Sequence, residues 1–292
     1  MSANLVEDYE KRINSVINFI ETGISKPIQL RDLANAANFS PYHFHRIFKA
    51  FTGETPNDFI WRLRLEKAAN SLKFATDKTI TEIALEFGFD SSSSFSKKFK
   101  AHFGISPKEF KLKNDDLNLA LHKSERYHIP VPVPEISVKY YEKIDVLYAA
   151  NRRGYNDEEI GKAWGELVKY AQKYHLFRKN TRFFGISFDN PEFTDLDKCR
   201  YYACITNPGV VLPENELGKY SIGAGKYASF DFFDTADKIA LYYDFIYREW
   251  FPGNGWYPAN KPAFDIYLND PDNDPEGRLK MRINIPVESK EL

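Results

Sequence analysis

The segment Leu33-Ala34-x3-Asn38-Phe39-Ser40 returns fifty residues later as Ile83-Ala84-x3-Gly88-Phe89-Asp90-Ser91, with Asp90 the one inserted residue. The match then runs on at an offset of 51: Phe44 with Phe95, Arg46 with Lys97, Phe48-Lys49 with Phe99-Lys100, Gly53 with Gly104, Thr55-Pro56 with Ser106-Pro107 and Phe59 with Phe110. A repeat of this kind makes each copy one supersecondary unit. In each, a short helix is expected to end at Asn38 or Gly88, residue types that tolerate a positive φ. Ser40 or Ser91 then caps a second helix, and in the first copy Pro41 fills its first turn. Such a pair is a helix-turn-helix, whose second helix can lie in a DNA major groove; the spacing alone leaves a bundle of helical hairpins open beside it.

Charge placement separates the two readings. From Phe39 to Gly53 there is no acidic residue, while His43, His45, Arg46 and Lys49 are present. From Ser91 to Lys108 there is again none, and Lys97, Lys98, Lys100 and Lys108 appear. The acids gather elsewhere, at Glu54, Asp58, Glu66, Asp77, Glu82, Glu86 and Asp90. Two acid-free basic helices are what approach to phosphates requires.

Outward from the repeat, the chain divides. Its 292 residues are enough for two domains, and 43% apolar with 28% charged residues is a globular composition. The net charge of −1 hides a split, because residues 1–112 hold 16 Lys+Arg against 13 Asp+Glu and the remainder is acidic. Sixteen of the 18 tyrosines also lie beyond residue 112. A polar stretch followed by Ile129-Pro-Val-Pro-Val-Pro134 favours an extended connection, so a linker is expected over 113–129 between domains 8–112 and 130–288. Helix-turn-helix units are expected at about 28–53 and 80–104. The later half alternates short β-like runs (Tyr201–Thr206, Ala263–Leu268) with helical patterns (Glu158–Tyr174, Ala236–Trp250), an α+β arrangement. Two cysteines make no disulfide scaffold, there is no signal-like N-terminus and no run of about 18 apolar residues. A cytoplasmic protein without membrane association is expected.

The run Ile80-x2-Ile83-Ala84-x3-Gly88-Phe89-x-Ser91-x3-Phe95-Ser96-Lys97-x-Phe99-Lys100-x2-Phe103-Gly104-x-Ser106-Pro107-x2-Phe110 closely resembles the signature of AraC/XylS-family transcription regulators, and Arg64-Leu65-x2-Ala68-x3-Leu72 fits the same pattern. The resemblance implies an all-α domain of seven helices. In it a long connecting helix holds two recognition helices in successive major-groove segments about 34 Å apart. Helix geometry puts Phe44, Ile47, Phe48 and Phe51 in the first core stripe and Phe95, Phe99 and Phe103 in the second. Candidate DNA contacts are therefore Tyr42, His45, Arg46 and Lys49, then Ser92, Ser93, Ser96, Lys97 and Lys100. Arg46 is the candidate for a bidentate guanine contact, with a phosphate clamp as its alternative. His43 and His102 are assigned to packing or surface, and Ser91 to the cap.

Beyond residue 112 no catalytic motif stands out. Gly223-Ala224-Gly225 lacks the Lys-Ser/Thr of a phosphate loop. Cys199 and Cys204 are at odd spacing on a strand-like run, poor for joint metal ligation, and His122, His128 and His175 share no ligand spacing. Neither metal nor cofactor is expected. Gly185-Ile186-x-Phe188-Asp189-Asn190-Pro191-Glu192, Arg200-Tyr201-Tyr202-Ala203-Cys204, Gly225-Lys226-Tyr227-Ala228, Glu249-Trp250-Phe251-Pro252, Phe264-Asp265-Ile266-Tyr267-Leu268-x-Asp270-Pro271 and Ile283-x-Ile285-Pro286-Val287 resemble, in order, the GyrI-like effector-binding domain. That resemblance implies two βαββ units around a cleft for small molecules, often lipophilic cations. The pair of domains has a Rob-like arrangement.

In the run Ala263–Leu268, Asp265 points with Ala263 and Tyr267, away from Phe264, Ile266 and Leu268. A carboxylate in an apolar strand is costly unless paired or reached by water or ligand. The resemblance puts Asp265 where the family has a cation-facing glutamate, one methylene longer. A bond to backbone or an internal arginine is its structural alternative. Trp164, Tyr227, Trp250 and Tyr267 complete the candidate ligand set as a cage for cationic or planar compounds.

The reading is a regulator, an activator, that binds duplex DNA, contacts RNA polymerase and answers to a small-molecule effector. Because the repeat is internal, one chain suffices for an asymmetric site. Two alternatives are carried: a second domain that binds a protein or only restrains DNA binding, and a hydrolase built on Asp265 and a nearby tyrosine. The latter lacks a nucleophile–base–orienter set, so no enzyme is expected.

Overall fold

Each repeat folds as its local signals dictate. In the computed structural model the chain forms α1 (Ala3–Thr22), α2 (Leu30–Ala36), α3 (Pro41–Thr52), α4 (Pro56–Phe74), α5 (Ile80–Glu86), α6 (Ser92–Phe103) and a further helix α7 described over 107–113. Asn38 and Gly88 take φ of 54° and 74° in the two turns. Ser40 accepts a hydrogen bond from the His43 N–H and Ser91 from that of Ser94, so both caps form. Gly53 and Gly104 end α3 and α6 in the left-handed region, their N–H groups donating to the Lys49 and Lys100 carbonyls. The structure describes residues 3–74, 78–113, 134–151, 153–210 and 217–289, in two units, 1–123 and 124–292. All but the first residue of the expected linker 113–129 lies outside the described residues.

The first unit is packed around aromatic rings. Phe44 and Phe48 of α3 are fully buried with Ile13, Val16 and Ile20 of α1, and Phe48 meets Phe59 of α4 edge-on. In the second repeat Phe95, Phe99, Phe103 and Phe110 contact one another in series at 4.6–5.8 Å between ring centroids.

The second unit is one curled antiparallel sheet. Its strands are β1 (Ser137–Tyr141), β2 (Ile144–Ala150), β3 (Phe183–Ser187), β4 (Tyr201–Thr206), β5 (Gly218–Ile222), β6 (Gly225–Asp234), β7 (Trp256–Pro258), β8 (Ala263–Tyr267) and β9 (Leu279–Ser289). The order is β1-β6-β9-β8-β3-β4-β2-β5, with β7 paired to β9. The βαββ units are β2-α8-β3-β4, with α8 at Asp157–Lys173, and β6-α9-β8-β9, with α9 at Ile239–Phe245. They join edge to edge through β3 and β8 into a single sheet. Two-residue turns connect β1 to β2 and β5 to β6, strands at opposite ends of this order, so the ends of the sheet must meet. The face inside the curl carries Tyr148, Phe184, Tyr202, Tyr227 and Phe264. On the other face α8 covers Leu147, Ala203 and Ile205, while α9 covers Phe230, Met281 and Ile283.

The helix expected over Ala236–Trp250 is segmented. A 3-10 turn (Ala236–Lys238) leads into α9, a π-helical turn spans Ile246–Trp250, and α10 (Phe251–Gly253) follows. The Phe251 N–H donates to the Ile246 carbonyl five residues back. Pro252 has no N–H with which to continue the usual ladder, and a π turn is one way a helix absorbs such a break.

Candidate functional site

On α3 the face opposite Phe44 and Phe48 is open. Tyr42 is 67% exposed, Arg46 and Lys49 are exposed and His45 is half-buried. The Arg46 guanidinium lies 5.8 Å from the Tyr42 ring, and its Nη1 donates to the Tyr42 hydroxyl at 3.4 Å. On α6 Ser93, Lys97 and Lys100 are exposed, with Ser92 and Ser96 half-buried beside them. The nine sequence-predicted residues thus occupy the outer faces of the two capped helices. Lys98 does not: its ammonium sits 4.1 Å over the Trp61 ring of α4. His43 and His102 are exposed, and His102 stands edge-on to Phe103.

The second site is on the helix-covered face of the sheet. Asp265 lies mid-strand on β8, with Gly185 of β3 and Ile283 of β9 as its cross-strand neighbours. It is only 7% exposed, and its Oδ1 has no hydrogen-bond partner among the described residues. Neither structural alternative, a backbone bond or an arginine, is present for that oxygen. Burial pushes the carboxyl up to about 7.

Tyrosines ring this carboxylate. The Tyr201 and Tyr267 hydroxyls hydrogen-bond at 3.1 Å, and the Trp164 ring of α8 stands edge-on to Tyr267 at 5.0 Å. Burial holds the Tyr201, Tyr243 and Tyr267 hydroxyls well above the usual phenol range, and the nearby Asp265 charge adds to this in each. These phenols therefore stay neutral while Asp265 titrates.

Gly185 makes the arrangement possible. Tyr201 belongs to β4 and Tyr267 to β8, with β3 between them. A Cβ at position 185 would stand 2.3 Å from the Tyr201 hydroxyl oxygen and 2.9 Å from its ring, so only glycine lets that phenol cross the strand.

The structure brings Asp265, Tyr267 and Trp164 together and leaves two candidates elsewhere. Tyr227 is a correction. Register pairs it with Pro286, out of phase with Asp265 and Ile283, so it faces the inside of the curl against Phe264 and Tyr141. Its hydroxyl donates to the Gly223 carbonyl at 2.7 Å. Trp250 is on the helix-covered side, where it packs on Phe251 at 5.2 Å and borders the Met281–Ile283 core. Tyr201 and Tyr243 were missed by the sequence reading. The signal available for Tyr201 was Gly185 itself, a lone glycine in the apolar run Phe183-Phe184-Gly185-Ile186, which marks a close approach.

Cys199 and Cys204 are both buried and neither forms a disulfide among the described residues; Cys199 precedes β4, so strand alternation applies to Cys204 alone. Among the described residues no group of three or more His, Cys, Asp or Glu is placed to hold a metal ion, and no helix is long and apolar enough to cross a membrane.

Comparison with known proteins matches both units. A family model described as the GyrI-like small molecule binding domain covers residues 134–288, and one described as a helix-turn-helix domain covers 33–113. The chain is 38% identical to the transposon Tn10 TetD protein of Escherichia coli over 37% of its own length and 82% of that protein. It is 33% identical to the HTH-type transcriptional activator AarP of Providencia stuartii, over 36% of this chain and 78% of the other. A solved transcriptional regulator with an AraC-type DNA-binding domain, from Chromobacterium violaceum, aligns at 30% identity and a TM-score of 0.34, covering 35% of this chain and 91% of that one.

Unfolding returns Asp265 to water, where it ionises near its ordinary value, whereas the folded protein keeps the proton to about 7. The folded state thus binds one more proton between these limits, and stability falls as pH rises from about 4 to 7, by up to about 4 kcal/mol. Asp265→Asn is expected to match the wild type near pH 4 and to melt several degrees higher at pH 8, as read by thermal denaturation across pH. Parallel wild-type and mutant curves would mean that the carboxyl is solvated.

Proposed function

This chain belongs to the AraC family of transcription regulators and carries a C-terminal GyrI-like small-molecule-binding domain, and from that premise we propose that α3 and α6 read two blocks of one asymmetric DNA site under control of a ligand bound beside Asp265. The observation that carries the first part is the duplicated helix: twice capped, twice acid-free, with Arg46 and Lys97 exposed at matching positions of the repeat. Arg46 reads a base, Lys49 and Lys100 hold phosphates, and the small serines of α6 read the second block more loosely. One chain supplies both helices, so a monomer is competent to bind.

The effector is a hydrophobic cation. A buried carboxylate with one oxygen unpartnered among the described residues, set among neutral phenols and an indole, attracts a poorly hydrated positive charge and offers little to an anion. We read the role as activating, in line with the relative AarP, which is named an activator, and as exerted through contact with RNA polymerase.

Selection from random duplex DNA at fixed salt tests the DNA-reading part. The wild type should yield two blocks about one helical turn apart, and Arg46→Ala should degrade one block, weakening it by about 1–3 kcal/mol, roughly 5–150-fold. Binding that is sequence-independent and salt-steep would overturn it. For the ligand site proposed beside Asp265, an aromatic quaternary ammonium compound titrated into the full chain should bind more tightly as pH rises through about 7, where Asp265 ionises, and level off above. Asp265→Asn should abolish both the binding and its pH dependence while leaving the fold intact; unchanged binding would place the cation elsewhere.

A further inference from the structure

The two helix-turn-helix halves meet at one side chain. Arg64, on α4, is 5% exposed, and its guanidinium donates to three main-chain carbonyls: Nε to Ile24 at 2.9 Å, Nη2 to Lys26 at 2.6 Å and Nη1 to Gly88 at 3.1 Å. Ile24 and Lys26 belong to the loop between α1 and α2, ahead of the first recognition helix. Gly88 is the turn between α5 and α6, ahead of the second.

The surroundings allow little else in that place. A Cβ on Gly88 would stand 2.9 Å from Arg64 Cζ and 3.1 Å from the Ser25 carbonyl oxygen, so loop, turn and guanidinium are in direct contact. One turn earlier on α4, Trp61 packs against the second half, with Phe89 at 5.1 Å and Lys98 of α6 at 4.1 Å. Arg64 itself lies 5.1 Å from the Trp61 ring. The neighbouring buried arginine works differently: Arg62 pairs with Glu54 and Glu66, within the first half and α4.

We infer that Arg64 is a positioning residue that sets the distance and angle between α3 and α6, and with it the separation at which two DNA blocks are read. A planar fork with several fixed donors can hold three carbonyls from two segments at once, whereas a lysine ammonium on a flexible stem has no such fixed plane. The two recognition helices need not touch each other to be held in register. The inference rests on the two-block reading above.

Two measurements on the full chain decide it. In the first, spin labels are placed by Ala50→Cys on α3 and Ala101→Cys on α6, both exposed positions; the native Cys199 and Cys204 are buried. Without DNA, the wild-type background should give one narrow distance distribution. Arg64→Lys should broaden or shift it by several ångströms, and so should Gly88→Ala, which displaces the guanidinium without removing it. In the second, binding is measured on the wild-type-selected duplex and on versions with one base pair inserted or deleted between the blocks. The wild type should lose at least about 30-fold on a change of spacing, as when one block is forfeited. Both variants should bind the native duplex more weakly and show a spacing penalty under about 5-fold. Thermal melting of each variant verifies that it is folded. Unchanged distances, or a penalty as steep as the wild type's in folded variants, would overturn the assignment. Selection of a single block by the wild type would overturn the two-block reading, while the label distances would still decide what Arg64 holds in place.

Discussion

A buried guanidinium that must find partners constrains how the first unit can be built. Arg64 stays charged and brings several donors, so its burial is tolerable only where acceptors converge. They do so because Gly88 ends its helix with a positive φ, and because the loop at Ile24 and Lys26 turns its carbonyls inward. Hydrogen bonds to a charged group contribute about 1.5–3 kcal/mol each, and a buried carbonyl left without its donor costs about 1–3 kcal/mol. The same contact therefore stabilises the domain and orders its two halves, and the capped helices α3 and α6 inherit their placement from it.

The second unit is organised around the opposite problem, a buried carboxyl with one oxygen that finds no hydrogen-bond partner among the described residues. Register with Ile283 puts Asp265 on the helix-covered face, and the sheet surrounds it with Gly185, Ile283 and the Tyr201–Tyr267 pair. The phenols are neutral dipoles, and burial keeps them so. An aspartate in this setting destabilises the empty domain when ionised. A bound cation would relieve that cost, which links ligand, proton and stability at one side chain.

What could be read in advance followed from locality. The repeat, both serine caps, the positive-φ turns and the aromatic stripes of α3 and α6 depend on residues within a few positions of one another. The burial of Asp265 on the face of Tyr267 follows from alternation within one strand. Tyr227 was misplaced because alternation states that a strand has two faces and says nothing of which one matches its neighbour; the pairing of β6 with β9 decides that. Tyr201 reaches the site across an intervening strand, a relation that exists only once β3, β4 and β8 are assembled. Arg64 was visible as part of a motif, but its three acceptors are 24 to 40 residues away. The π turn at Ile246–Trp250 escaped for a local reason, since Pro252 stands beyond the span read as helical.

Two recognition helices held as one rigid reader should leave a defined trace on DNA. Hydroxyl-radical footprinting of the full chain on its selected duplex tests this most directly. The account predicts two protected patches on one face of the duplex, centred about one helical turn apart, with unprotected sugar between them. A single patch, or protection spread evenly along the duplex, would contradict it.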